Sequence, residues 1–222
     1  MRIGIVTDVH DESAILAEAL AAMRAENVDV IISLGDTSDL HGKGEDATGV
    51  AALLKQYGAV GVWGNHDYGL CRNVSETARK NFSVETLEYM ATMRPRIELD
   101  DCHFSHVEPW LNPESVEDLW CFDGRPEDED RFPKTFAAIP HRAAFMGHCH
   151  RWLAVTESGR VTWDGTTPLR LNKGKRYLVV VAALFNGAFA ILDTERWILE
   201  PRKIPPQSGD SRIDGTQLGR DG

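Results

Sequence analysis

Arg2-Ile3-Gly4-Ile5-Val6-Thr7-Asp8-Val9-His10 is the stretch from which the rest of the chain can be read. Its apolar run is too short for a helix and is continuous rather than alternating, which predicts a strand buried on both faces. A carboxylate and an imidazole follow at once. The pattern then recurs. The run Asp29 to Leu34 ends in Gly35-Asp36, Ala59 to Trp63 ends in Gly64-Asn65-His66-Asp67, and Ala143 to Met146 ends in Gly147-His148-Cys149-His150. Between the first three runs lie helical segments. Ser13 to Glu26 carries the stripe Ile15, Leu16, Ala19, Leu20 and Met23, and Asp46 to Tyr57 is rich in Ala and Leu. Strand, helix, strand, helix, strand predicts parallel βαβ units. Ligands of open α/β sheets gather at the carboxyl ends of the strands, which is where the polar clusters stand.

Further along, Ser83 predicts an N-cap for a helix through Met93, and Arg96 to Leu99 with Cys102 to His106 predicts a hairpin around Asp100-Asp101. Val107 to Pro133 is rich in Pro, Asp and Glu and reads as a lid-like insertion. Its Trp110, Trp120 and Phe122 are expected to form a small core of their own, and its acidic run Glu127 to Asp130 a solvated loop. Trp152 to Thr156, Arg160 to Trp163, Arg176 to Leu184 and Ala188 to Asp193 read as strands, the last two joined by an Asn186-Gly187 hairpin turn. The reading is a single domain over 1–200 with the insertion at about 107–133. The Pro, Gly, Ser and charge-rich 201–222 is expected to be a disordered tail.

The bulk numbers suit this. A chain of 222 residues that is 42% apolar can fill one sizeable core. With 34 acidic against 24 basic residues, the net charge of −10 argues against non-specific binding to nucleic acid or anionic membrane. The four cysteines are scattered, no apolar run reaches transmembrane length, and no secretory segment precedes the first strand. A cytoplasmic protein with reduced thiols is expected.

Asp8 and Asp36 could each be a turn residue or a helix cap, the plainer reading of an Asp after a strand. That reading leaves His10, His66, His106, His148 and His150 unexplained. Asp8 and His10 are two residues apart, so if strand geometry persists they point to one side, and His148 and His150 repeat the spacing. By the same alternation Cys149 points away, as a small buried filler. Carboxylate oxygen mixed with imidazole nitrogen suits Mn, Fe or Zn. Asp36 is the natural bridging ligand, since a carboxylate offers two oxygens. His41, His103 and His141 fall outside the pattern and read as surface or core residues.

Asp8-x-His10, Gly35-Asp36, Gly64-Asn65-His66-Asp67, His106 and Gly147-His148-Cys149-His150 together resemble the calcineurin-like metallophosphoesterase superfamily, in that family's order. The resemblance implies a two-sheet β-sandwich core flanked by helices, an α/β fold in four layers. It implies one divalent metal held by Asp8, His10, Asp36 and His150, and a second by Asp36, Asn65, His106 and His148. Mn is favoured over Fe, Zn, Ni or Co. It implies a metal-bridging hydroxide as nucleophile for in-line attack on a phosphoester, with His66 as general acid oriented by Asp67.

The protein-phosphatase branch of that family carries Gly-Asp-x-x-Asp-Arg-Gly and Asn-His-Glu. This chain reads Gly35-Asp36-Thr37-Ser38-Asp39-Leu40-His41 and Asn65-His66-Asp67, without the phosphate-binding arginines. The small phosphodiesterase-like branch fits better, although Val107 stands where many relatives have Gly. Tyr177-Leu178-Val179 also runs on into Val180-Val181-Ala182-Ala183 rather than into an Asn-Pro-Gly-Ser-like loop. The expected function is therefore hydrolysis of a small phosphodiester. The alternatives are a phosphomonoesterase acting on a phosphorylated metabolite or nucleotide and, further off, a non-catalytic metal-binding scaffold. A homo-oligomer is compatible with all three.

Overall fold

The computed structural model describes residues 1–38, 46–121 and 123–205. Its first third is β1 (Arg2–Val6), α1 (Ser13–Ala25), β2 (Val30–Ser33), α2 (Ala47–Gln56) and β3 (Val60–Gly61). Three short helices follow, α3 (Tyr68–Cys71), α4 (Glu76–Asn81) and α5 (Val84–Met90). Ser83 caps α5 as its sequence predicts, its hydroxyl accepting from the Thr86 amide. Next come the hairpin β4 (Ile97–Leu99) and β5 (Cys102–Phe104), then α6 (Val116–Leu119), α7 (Phe132–Ala138) and β6 (Ala143–Met146). The chain ends in β7 (Leu153–Thr156), β8 (Gly159–Arg160), β9 (Leu169–Arg170), β10 (Tyr177–Val180), a 3₁₀ turn (Leu184–Asn186), β11 (Ala188–Asp193) and β12 (Ile198–Lys203).

These strands form two sheets of six, ordered β3-β2-β1-β11-β12-β9 and β4-β5-β6-β10-β7-β8. β1, β2 and β3 run parallel in the first, β5, β6 and β10 in the second. Period-two alternation then sorts the side chains. Ile3, Ile5, Ile32, Phe104, Phe145, Val179 and Leu192 fill the layer between the sheets. Val6 and Ile31 face Leu16, Leu20 and Met23 of α1, the stripe read from sequence. Ala144, Met146, Leu178 and Val180 face Phe132 and Phe136 of α7. Helix, sheet, sheet, helix is the expected four-layer α/β sandwich, and both sheets are buried on both faces. Among the described residues no helix is long and apolar enough to cross a membrane.

Two expectations are corrected first. Asn186-Gly187 does not turn a hairpin, because β10 and β11 lie in different sheets and the 3₁₀ turn carries the chain across, ending on Gly187 at φ 78°. The hairpin partner of β11 is β12, and the Asp193 carboxylate pins the turn by accepting from the amides of Glu195 and Arg196. Hence the domain does not stop at residue 200: Pro201, Arg202 and Lys203 belong to β12. Pro201 is tolerated because β9 pairs with β12 only at Ile198 and Leu199, leaving that edge without a demand for its missing amide. Residues 206–222 of the expected tail lie outside the described residues, as do His41 and Phe122.

The insertion does not make its own core. Val107, Leu111 and Leu119 join the helix-side core of the first sheet, with Trp110 packed against it. Polar contacts fix the segment further. Trp63 Nε1 donates to the Pro113 carbonyl at 2.7 Å and an Arg96 guanidinium nitrogen to that of Leu111 at 2.7 Å. Arg131 and Glu108 form a buried ion pair. The acidic run is not all solvated either, for Glu127 pairs with Arg151 at 2.7 Å.

Candidate metal centre

All the motif residues reach one rim of the sandwich because their strands are parallel and share a carboxyl end. Asp8 and His10 follow β1, Asp36 follows β2, and Asn65 and His66 follow β3. On the second sheet His106 follows β5, and His148 and His150 follow β6. The loops are laced together. Val9 and His10 donate their amides to the Asp36 carbonyl at 2.8 and 3.0 Å, and Gly147 donates to that of His106 at 3.1 Å.

The strand geometry invoked for Asp8-x-His10 does not persist. β1 ends at Val6, and Asp8, His10, Asp36, His148 and His150 all have φ between 47° and 66°. Left-handed turns, not alternation, present these side chains, and each such residue holds some backbone strain. Cys149 does pack toward the core, against the cluster around Met146 and Leu153.

Two groups of donors result. Asp8, His10 and His150 bring one ligand atom each within 4.8 Å of one another, and so do Asp36, His106 and His148. Asn65 joins the second group, its Oδ1 lying 2.9 Å from both His106 Nε2 and His148 Nδ1. Asp36 stands between the groups. Its Oδ1 accepts from the His66 amide at 2.9 Å, while Oδ2 lies 3.3 Å from His106 Nε2 and 3.8 Å from His10 Nε2.

The donors fit a pair of divalent cations. His106 Nδ1 is held 2.8 Å from the Leu34 carbonyl, so it carries the proton and turns Nε2 toward the centre. His10 Nε2 is buried without a hydrogen bond. Asp8 Oδ2 accepts from the Thr7 hydroxyl at 2.7 Å and the His148 amide at 3.2 Å, which leaves Oδ1 for the centre, 3.3 Å from His150 Nε2. Glycines make room. A Cβ on Gly64 would stand 2.1 Å from Asp36 Oδ1, and one on Gly147 would stand 1.9 Å from Thr7 Oγ1.

The electrostatics divide the imidazoles two and two. Hydrogen bonding to Asp8 raises His150, and although burial opposes it, Asp36 pushes His106 up to about 9. Burial lowers His10, and burial with the nearby His106 lowers His148 to about 4. Burial acts against the Asp36 carboxylate, but His106 and the His66 amide overcome it and hold its pKa well below the usual range. His10 and His148, held toward the neutral form, keep lone pairs for ligation, and a divalent cation would compete with protons for such nitrogens.

His66 belongs to neither group. Its partly exposed ring meets His10 at 4.8 Å and Trp120 of the insertion at 5.1 Å between centroids. Asp67 follows His66 directly in the chain. Its buried carboxylate accepts from the Thr37 amide and hydroxyl and the Ser38 amide at 2.9 to 3.2 Å, and from the Gly64 amide at 3.1 Å. These bonds tie the Asp36 loop to the His66 loop. Burial, with Asp36 adding to it, pushes Asp67 up to about 6.

Some residues at the rim gave no sequence signal. Phe185, on the crossing between the sheets, packs against His10 and His150 at 5.6 and 4.9 Å. It occupies the region where the sequence lacks the Asn-Pro-Gly-Ser-like loop. Thr7 anchors the Asp8 carboxylate and Thr37 that of Asp67, and neither threonine stands at a motif position.

Two donor groups meeting over a shared carboxylate, at the joint rim of a helix-flanked double sheet, define a metallophosphoesterase architecture. The chain belongs to the calcineurin-like phosphoesterase superfamily, whose domain model matches residues 1–196. Among solved structures it is similar to a metallophosphoesterase from Sphaerobacter thermophilus, with 20% identity, a TM-score of 0.71, and 92% of this chain and 89% of that one covered. It is also similar to a Thermus thermophilus protein, TT1561, at 11% identity and TM-score 0.55 over 91% and 98% of the two chains. An archaeal phosphodiesterase matches at 15% identity and TM-score 0.52 over 92% and 100%. At such identities the likeness concerns the fold. No curated protein matches the chain. The family is one of phosphoester hydrolases that use divalent metals.

Proposed function

We propose that this chain hydrolyses a small phosphodiester, with two divalent ions, manganese favoured, held by Asp8, His10, Asp36 and His150 and by Asp36, Asn65, His106 and His148. The observation that carries the reading is Asp36 Oδ2, facing His106 and His10 from between the two donor groups, with His66 beside them and in neither. When bound, such a pair supplies Lewis acidity toward phosphoryl oxygens and a more acidic attacking water.

The protein's own side chains supply the rest. His66, anchored through its amide to Asp36, reaches the rim and donates a proton to the leaving oxygen. Asp67 sets the spacing of the two loops. Trp120 and Phe185 wall the site with apolar surface. A phosphodiester carries one negative charge where a monoester approaches two at neutral pH, and a motif without arginine suits the smaller charge.

The test is turnover of bis-p-nitrophenyl phosphate beside p-nitrophenyl phosphate, on one batch chelated and then supplied with Mn²⁺. Faster diester hydrolysis is expected. Faster monoester hydrolysis selects the phosphomonoesterase instead. No turnover with Mn, Ni, Co, Fe or Zn sinks the proposal, and full metal occupancy without hydrolysis points to a scaffold.

A further inference from the structure

Metal-competent donors of the second sheet do not end with His106 and His148. Glu98, His103 and His141 bring three more ligand atoms within 4.8 Å of one another. We propose that this group is a separate divalent-cation site, suited to zinc, on the outer face of the β4–β5 hairpin.

The backbone assembles it. Glu98 and His103 are direct cross-strand partners, so their side chains leave the sheet on the same face. His103 is also level with Ala144 of β6, and His141 stands just before that strand. The segment carrying His141 is fastened to the hairpin turn. The Arg142 amide donates to Asp101 Oδ1 at 3.2 Å and the Ala143 amide to the Asp101 carbonyl at 3.4 Å. All three donors therefore sit on fixed elements, as a precise metal site requires.

The second observation is the state of His103. Its side chain is 4% exposed, and both ring nitrogens are buried without a hydrogen-bond partner. Buried polar atoms are nearly always paired, so an imidazole with two orphan nitrogens points to an unseen ligand. His141 Nδ1 is likewise buried and unpaired. Glu98 Oε1 lies 3.9 Å from His103 Nδ1, and Oε2 lies 3.7 Å from His141 Nε2, both beyond hydrogen-bond reach. Donors around a tetrahedral zinc with bonds near 2.1 Å stand about 3.4 Å apart. The three ligand atoms now lie within 4.8 Å of one another, so closing the site draws them in by at most about 1.4 Å.

The donor chemistry agrees. Two imidazoles and one carboxylate make a three-ligand zinc set that leaves a fourth position for water. Burial, with Arg96 and His141 adding to it, pushes His103 down to about 4, which leaves a lone pair to offer at neutral pH. The neighbouring Arg96 guanidinium is turned to the carbonyls of Leu111 and Pro109. His103 lies within β5 and His106 beyond its carboxyl end, three residues on and up to about 10 Å away, so the site is distinct from the rim.

The experiment compares the full chain with Glu98→Gln and His141→Ala, each saturated with zinc, desalted and assayed for zinc by mass spectrometry. Each variant is expected to hold one equivalent fewer than wild type, while Mn²⁺-dependent diester hydrolysis stays within about twofold because the sites are separate. Zinc content equal to wild type in either variant overturns the proposal. So does a loss of activity in step with zinc, since the group would then belong to the rim. The count is a difference between chains, so it holds whether or not the rim proves catalytic.

Discussion

Gly64→Ala probes the closeness with which Asp36 is held. The added methyl would stand 2.1 Å from Asp36 Oδ1, 2.6 Å from its amide nitrogen and 2.8 Å from its Cγ. Carbon and oxygen keep roughly 3.3 Å apart even in their closest attractive contacts, so about 1 Å must open. Asp36 cannot yield alone, because its carbonyl accepts the amides of Val9 and His10 and its carboxylate that of His66. Overpacking of this kind costs about 1–3 kcal/mol. Displacing the ligand shared by both donor groups by about 1 Å lowers the rate on the order of 10²-fold. The assays are metal content, diester turnover and the urea midpoint. Gly58→Ala is the control. Its φ is 66° but nothing lies within 4 Å of the new Cβ, so it should lose about 1–2 kcal/mol of stability and keep metal and turnover. Wild-type metal content and turnover in Gly64→Ala would refute the reasoning, for the tight approach would then not position Asp36.

His66→Ala should keep its metal content and lose roughly 10²- to 10⁴-fold in turnover; equal loss of both would make His66 a ligand. Arg131→Met leaves the buried Glu108 carboxylate with the Trp110 indole but without its cation and should cost about 3–5 kcal/mol in urea unfolding, much of it recovered when Glu108→Gln is added. A cost below about 1 kcal/mol would mean the pair behaves as an exposed one. His103 gives a pH prediction for zinc-free protein. Its folded pKa is about 4 and its unfolded pKa near 6.5, so the unfolded chain takes up the proton first and stability falls as pH drops from 6.5 toward 4. The loss is at most about 3 kcal/mol at 1.36 kcal/mol per pH unit. His103→Leu should flatten that limb of the stability curve, and an unchanged slope would mean an ordinary imidazole.

The sequence was most legible where chemistry repeats. Asp8, Asp36, Asn65 and His148 each follow a short apolar run, and parallel strands bring such run-ends to one rim whatever the loop detail. The detail itself was not legible. Alternation put Asp8 and His10 on one side for the wrong reason, because the left-handed φ values that Asp and His adopt more readily than most residues are only a weak bias in residue type. Asp67 was read for its neighbour His66, and the bonds its carboxylate accepts from the Thr37, Ser38 and Gly64 amides had no signal in the sequence. Backbone donors carry no sequence signature. β12 escaped because its Pro201 and charged residues mimic a tail, and only the unpaired edge beyond Leu199 explains them. His103 and His141 are far apart in sequence and meet only because β5 and β6 are neighbours, so no spacing rule could join them.

Each donor group draws on both sheets: Asp8 and His10 with His150, and Asp36 with His106 and His148. The closure is long, for the His148 amide reaches Asp8 across 140 residues. An ion therefore finds no complete site on a half-made chain, because neither sheet alone offers a full donor set. It binds after the sheets have docked, and its stabilisation, which grows with free metal over its dissociation constant, falls on the native side of the folding barrier. Metal then acts as a latch on lifetime rather than as a nucleus. Chelated and loaded chains should form at the same speed, and the loaded one should come apart more slowly by the factor that the ions contribute to the equilibrium.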